Sequence, residues 1–284
     1  MQKILVTGSN GQLGRSLQAV AGDYPEMTFV FADRKLLDIT VESSIFDLFE
    51  QYSFDYCINT AAYTAVDRAE EEVDAALLAN TEAIAYLAKA CKKYNTKLIH
   101  FSTDYVYADY NRPLLETDEL RPEGIYARTK LKGERVLFSI LPGACVIRTS
   151  WVYADFGHNF VKTMLRLGRE REQLSVVFDQ VGSPTYAPDL AKAILSIISD
   201  NEWAGQLSGI YNYSNEGVIS WYDFAKAIFE MSHIKCEVLP ITSDQYPTAA
   251  KRPAYSVLNK QKFKETFGLE IPYWKDSLAR MLKQ

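Results

Sequence analysis

Short apolar runs alternate with longer amphipathic stretches through the first half of the chain. Residues 3–7, 28–32, 56–59 and 97–101 are apolar along most of their length, which suits strands buried on both faces of a parallel sheet. Between them, residues 15–20, 43–51 and 74–94 carry patterns compatible with helices. Strand, helix and strand recur at the spacing of βαβ units, so the pattern predicts an α/β protein with a doubly wound parallel sheet. Beyond Tyr153 the alternation breaks down. A helix is expected over 159–170, a short strand over 175–178, a helix over 189–198, a strand over 209–212 and a helix over 221–231. This second part reads as a smaller mixed C-terminal lobe that binds substrate. The nominal division is therefore 1–150 and 151–284, with segments of the second part returning to the sheet.

Composition narrows the classes. The 284 residues are 48% hydrophobic and 24% charged, as in an ordinary globular protein with a full core. A net charge of −5 and the absence of a basic run argue against nucleic acid as a partner. No apolar run approaches the ~20 residues of a membrane span, and the N-terminus has no signal-peptide pattern, so a cytoplasmic location is expected. Cys57, Cys91, Cys145 and Cys236 are scattered, as are His100, His158 and His233, which suggests neither a zinc site nor disulfides.

The first strand runs into Gly8-Ser9-Asn10-Gly11-Gln12-Leu13-Gly14. Gly8, Gly11 and Gly14 permit a tight turn and let backbone N–H groups approach a pyrophosphate at the start of the next helix, with Gln12 and Leu13 between them. The second strand ends at Asp33, whose carboxylate can accept hydrogen bonds from an adenosine ribose. Arg34 follows and can hold the extra phosphate of NADPH. Both NADH and NADPH are therefore expected to be usable. Asp38 and Ile39 lie where an adenine can sit. The small residues of the 60–67 loop would let the backbone pass beside a flat cofactor.

The fourth strand ends in Ser102-Thr103-Asp104, polar groups at the carboxyl end where open α/β sheets bind ligands. Downstream, Tyr126 and Lys130 stand four apart and share a helix face. A neighbouring ammonium favours the phenolate, so Tyr126 is expected to be a general acid tuned by Lys130, with Thr103 beside it on a substrate carbonyl. Spacing alone decides nothing, because Tyr222 and Lys226 repeat it within an amphipathic helix pattern that reads as packing. Arg252, in Lys251-Arg252-Pro253, is a candidate contact for a nucleotide diphosphate.

With the glycine turn, Ser102-Thr103-Asp104 and Tyr126/Lys130 in one order, the chain resembles the extended short-chain dehydrogenase/reductases, whose dinucleotide half is a Rossmann-like sheet. More narrowly, it resembles the dTDP-4-dehydrorhamnose reductase family. That likeness rests on Thr64-Ala65-Val66-Asp67-Arg68-Ala69-Glu70, Arg148-Thr149-Ser150-Trp151-Val152-Tyr153, Asn159-Phe160-Val161-Lys162-Thr163-Met164 and Asp179-Gln180-x-Gly182-x-Pro184-Thr185. The resemblance implies NAD(P)H-dependent reduction of the C4 ketone of dTDP-4-dehydro-β-L-rhamnose to dTDP-β-L-rhamnose. It makes Tyr126 the proton donor, Lys130 the ligand of the nicotinamide ribose and Thr103 the third member of the catalytic set. Thr103 and Asp104 would meet the sugar nucleotide and Trp151 the substrate. Residues 11–13, Asp33, Asp38, Ile39, Ala62, Tyr63, Thr64 and Phe101 would contact the cofactor.

Members that hold Mg²⁺ at a dimer interface use acidic side chains where this chain has Ser16 and Pro188, with only Asp189 acidic. Neither the metal nor its dimer is expected; a monomer or weak homodimer is. Two other readings share the fold: a non-catalytic regulatory subunit of the methionine adenosyltransferase type, and another nucleotide-sugar reductase or epimerase.

Overall fold

The computed structural model describes residues 1–283. Its chain order is β1 (Gln2–Thr7), α1 (Gln12–Val20), β2 (Met27–Ala32), α2 (Glu42–Gln51), β3 (Tyr56–Asn59), α3 (Val73–Leu77), α4 (Ala83–Lys93), β4 (Lys97–Thr103), α5 (Gly124–Ile140) and β5 (Cys145–Thr149). There follow β6 (Val152–Tyr153), α6 (Phe160–Glu170), β7 (Gln173–Val177), β8 (Val181–Gly182), β9 (Thr185–Tyr186), α7 (Ala187–Ser199), α8 (Asn201–Gln206) and β10 (Gly209–Tyr213). The chain closes with β11 (Ile219–Ser220), α9 (Trp221–Met231), β12 (Glu237–Ile241), α10 (Gln261–Phe267) and α11 (Trp274–Leu282).

Six strands form one parallel sheet in the order β2-β1-β3-β4-β5-β10. Both faces are covered, which is why the strands read as continuous apolar runs. Ile4, Val6, Ile58, Ile99 and Ile147 point into one core with α1, α7 and α10. Leu5, Cys57, Leu98 and Val146 point into the other with α2, α4 and α5. Burying each such aliphatic side chain contributes ~1.5–3 kcal/mol. From β1 the chain crosses one way to β2 and the other way to β3, so the strand order reverses between them. A crevice opens outside the carboxyl ends at such a switch point.

The later segments form a third core, where Tyr153, Val161, Phe224, Ile228 and Trp274 pack together. Around it lie three two-stranded sheets, β7 with β12, β6 with β9 and β8 with β11. Among the described residues, no helix is long and apolar enough to cross a membrane.

Some elements differ from the sequence pattern. The stretch read as one helix over 74–94 is broken by a π-helical turn, Leu78–Glu82, between α3 and α4. That wider turn meets α5 at Gly133, where a Cβ would lie 2.1 Å from the Asn80 carbonyl oxygen. Helix α1 starts three residues earlier than its apolar pattern, with Gly11 as N-cap. Asn159 is the cap of α6 rather than its first residue, its side chain accepting from Lys162 N–H at 3.1 Å. Strand β7 runs from Gln173 to Val177, and Phe178, placed in it by the pattern, is 46% exposed beyond its end.

Candidate active site

The glycine turn sits at the switch point. Gly8 has φ +63, and a Cβ there would lie 2.6 Å from the Ala61 nitrogen; one on Gly14 would lie 2.5 Å from the Gly8 carbonyl oxygen. Only glycine fits this approach of β1 to the loop after β3. The first N–H groups of α1 have no side-chain cap and are free for an anion. Gln12 ties the turn to the C-terminal lobe, donating from Nε2 to Val152 O at 3.3 Å and accepting from Asn159 at 3.0 Å.

A cleft of about 450 Å³ lies beside this turn, lined in part by Gly8, Arg34, Asp38, Ile39, Ala62 and Tyr63. Asp33 spends one carboxylate oxygen on its own turn, accepting from Lys35 and Leu36 N–H at 3.0 Å, and the other accepts from Asn10 at 3.2 Å. These bonds, the Leu36 N–H foremost, hold it below the usual carboxylate range. Arg34 is exposed at the cleft mouth and rests on Asp38 at 3.1 Å. Tyr63 is fixed by Asn80, whose amide accepts from Tyr63 N–H at 2.9 Å and donates to Tyr63 O at 3.0 Å. Asn80 also donates to Thr129 of α5 at 3.3 Å. The π-helical turn thus joins the cleft loop to the helix of Tyr126. Thr64 is exposed, and Phe101 packs against the core while its carbonyl takes a hydrogen bond from Lys130. The glycine cradle, uncapped helix start and long cleft suit a dinucleotide.

At the carboxyl end of β4, Thr103 donates from Oγ1 to Asp104 Oδ1 at 3.1 Å and accepts from Tyr105 N–H at 3.3 Å. Asp104 is buried and its Oδ2 has no partner. Burial pushes its carboxyl up to about 7, against hydrogen bonds that lower it. Burial likewise pushes the Tyr126 phenol up to about 12, with Thr103 lowering it and the Asp104 charge raising it further. Tyr105 meets Tyr126 edge-on with ring centroids 6.0 Å apart.

The expected tuning of Tyr126 by Lys130 is not the arrangement found. The Lys130 nitrogen is buried, donates to the Phe101 carbonyl at 2.6 Å and faces His100 at 3.3 Å. Its charge is directed into β4, and the tyrosine is firmly protonated. Arg252 is also engaged, bonding Asp67 at 2.6 Å and the Ala250 carbonyl at 3.0 Å. Asp67 in turn accepts from Ala250 N–H at 3.0 Å, closing the loop.

Trp151 adopts φ +48, which costs a bulky L-residue on the order of 1–3 kcal/mol. Its ring stacks on Trp221 with centroids 3.6 Å apart and planes at 11°. A Cβ on Gly182 would come within 2.8 Å of that ring. The sequence reading missed Trp221, Asn80 and His100. The apolar face of α9 absorbed the first, and nothing local distinguishes the other two.

The positions that carry acidic groups in Mg²⁺-holding members do not fit a metal here. The Ser16 hydroxyl donates to the Gln12 carbonyl at 2.8 Å, and Asp189 is bound by Asn215, Ser277 and, at 2.5 and 2.6 Å, Arg280. Magnesium requires hard oxygen ligands that are free to turn toward it.

Residues 1–284 match the model of the RmlD substrate binding domain. The dTDP-4-dehydrorhamnose reductase of Aggregatibacter actinomycetemcomitans is 40% identical over 99% of this chain and 98% of its own length. A crystal structure of the reductase of that name from Clostridium acetobutylicum superposes with a TM-score of 0.94 at 38% identity, covering 99% of each chain. One from Bacillus anthracis, in complex with NADP, gives 0.92 at 37% identity, covering 100% of this chain and 99% of that one.

Proposed function

The chain belongs to the RmlD family, and from that premise we propose that it reduces the C4 ketone of dTDP-4-dehydro-β-L-rhamnose to dTDP-β-L-rhamnose. The observation that carries this reading is the grouping of Thr103, Asp104 and Tyr126 beyond the carboxyl end of β4, joined through Thr129 and Asn80 to the Tyr63 loop that lines the cleft at the switch point.

A reduced nicotinamide bound in the cleft supplies the hydride. Gly8, Gly11 and Gly14 admit its pyrophosphate to the start of α1, with Gln12 and Leu13 lining the turn. Asp33 and Arg34 both reach the adenosine ribose. The carboxylate favours NADH and the exposed guanidinium favours NADPH, so either serves. Asp38 and Ile39 flank the adenine, and Ala62, Tyr63, Thr64 and Phe101 border the remainder of the cofactor. Lys130 would hold the nicotinamide ribose with a donor that the Phe101 carbonyl does not take.

Tyr126 donates its hydroxyl proton to the sugar C4 oxygen as the carbon is reduced. Its high pKa before substrate arrives ensures that the proton is present at neutral pH. Thr103 donates a second hydrogen bond to the same oxygen, giving up its bond to Asp104. The freed Asp104 then meets a sugar hydroxyl. Trp151 stacks against the sugar, and Arg252 exchanges Asp67 for the diphosphate. The protein acts as a monomer or weak homodimer without Mg²⁺.

The test follows absorbance loss from NADPH, and separately from NADH, on adding dTDP-4-dehydro-L-rhamnose to wild type and Tyr126→Phe. Consumption that collapses in the variant is expected. A folded protein that binds the cofactors but consumes neither contradicts the reading, and one that also retains NAD⁺ tightly is an epimerase.

A further inference from the structure

Three buried polar side chains form a ladder on the α5 face of the sheet, running from the last residues of β1 and β3 to the middle of β4. Thr7 is the register partner of Asn59, and Asn59 is that of His100. Thr7 donates from Oγ1 to Asn59 Oδ1 at 2.5 Å, Asn59 Nδ2 lies 2.9 Å from His100 Nδ1, and His100 Nε2 lies 3.3 Å from Lys130 Nζ. All four residues are buried.

Donors and acceptors along this ladder can be assigned. Ala61 N–H points at Asn59 Oδ1 from 3.3 Å, and a backbone N–H can only donate. The same oxygen takes the Thr7 hydroxyl, so the NH₂ of the amide faces His100. His100 Nδ1 therefore accepts, and a neutral imidazole then carries its one proton on Nε2. Burial, and secondarily the Lys130 charge, hold His100 well below the usual imidazole range, so neutral is its state. The Nε2–H is thus directed at the Lys130 nitrogen. An ammonium has three donors and no acceptor. One donor serves the Phe101 carbonyl, but none can pair with another N–H. A neutral amine has the lone pair that does, so the ladder is fully paired only when Lys130 is uncharged.

We propose that His100, fixed as its Nε2–H tautomer by Asn59 and Thr7, is a positioning residue that sets the pH at which Lys130 loses its charge and thereby the basic limit of the reaction. This rests on the reductase reading, in which the ammonium holds the nicotinamide ribose. Other groups around Lys130 are Tyr126 and Glu134 one turn away on α5, Asp104 after β4, and Glu70, which accepts from Ile125 N–H at the start of α5. Arg148 of β5 is committed to Glu134. Burial brings the lysine down to about 8, with Glu134 acting in the opposite direction. Activity that needs the ammonium is present below that value and lost as pH rises through it.

Two measurements test the assignment. In the cofactor-free chain labelled with ¹⁵N-histidine, which has only three histidines, the imidazole shifts report which nitrogen of His100 holds the proton. Nε2–H is expected in wild type and Nδ1–H in Asn59→Asp, whose carboxylate must accept. In NADPH assays, the basic limb of kcat/KM should move up by on the order of one pH unit in Asn59→Asp, and also in His100→Gln, whose side-chain oxygen accepts from the ammonium. An Nδ1–H tautomer in wild type, or a limb that stays in place while overall rates fall, overturns the proposal. Wild type that consumes no NADPH at any pH contradicts the reductase reading instead, and the tautomer measurement still decides the state of His100.

Discussion

Helices α5 and α9 carry the same series, tyrosine, lysine and glutamate at four-residue steps: Tyr126, Lys130 and Glu134 in one, Tyr222, Lys226 and Glu230 in the other. Their surroundings differ at the lysine and at the glutamate. Lys130 is buried against β4, whereas Lys226 is exposed. Glu134 pairs at 2.6 Å with Arg148, the two side chains being 3% and 0% exposed. Glu230 meets Lys275 only at 3.9 Å, with 74% and 45% exposure. The helical period places such side chains on one face, but burial and the neighbouring strand end decide whether that face holds perturbed groups or a solvated rim.

The largest predicted contrast is in stability. Glu134→Ala leaves Arg148 charged and without its carboxylate in the core, a loss of ~3–5 kcal/mol. Glu230→Ala should change stability by no more than ~0.5 kcal/mol. Urea denaturation midpoints of the two variants check this, and similar values would erase the distinction. A smaller effect is expected at Gly133, seven residues after Tyr126. Gly133→Ala drives a methyl into the Asn80 carbonyl and should cost ~1–3 kcal/mol in the same assay. In α9 the equivalent position is Phe229, which packs over Gly168 of α6.

The α5 side also predicts a pH dependence, through Asp104 at the end of β4. Asp104 has a native pKa of about 7, raised above its unfolded value by burial. The native state therefore binds that proton more tightly, and Asp104 lowers stability as pH rises from about 4 to about 7. Asp104→Asn removes this contribution. Its melting temperature relative to wild type should increase across that interval, and a constant difference would place the carboxyl in a wetter setting.

The parallel sheet was legible because its strands are apolar on both faces and its helices on one. The turn at Gly8 was legible because glycines at that spacing directly follow a strand. Thr103 and Asp104 were legible as polar groups at the carboxyl end of a parallel strand, where such sheets bind ligands. What was hidden depends on partners far along the chain. Asn80 interrupts an otherwise regular helical pattern, and only its contacts with Tyr63 and Thr129 give it meaning. Asn59 and His100 look like polar ends of apolar strands until the register aligns them. Arg252 meets Asp67 across most of the sequence, and the positive φ of Trp151 has no local signature. The spacing of Tyr126 and Lys130 gave their shared helix, but not the direction of the lysine nitrogen, which β4 determines.

The most direct test compares Tyr126→Phe with Tyr222→Phe in NADPH consumption with dTDP-4-dehydro-L-rhamnose. The account predicts a kcat at least ~100-fold lower in the first, the scale of a lost positioned acid, and a value within a few-fold of wild type in the second. Equal losses in both, or activity retained by Tyr126→Phe, would contradict it.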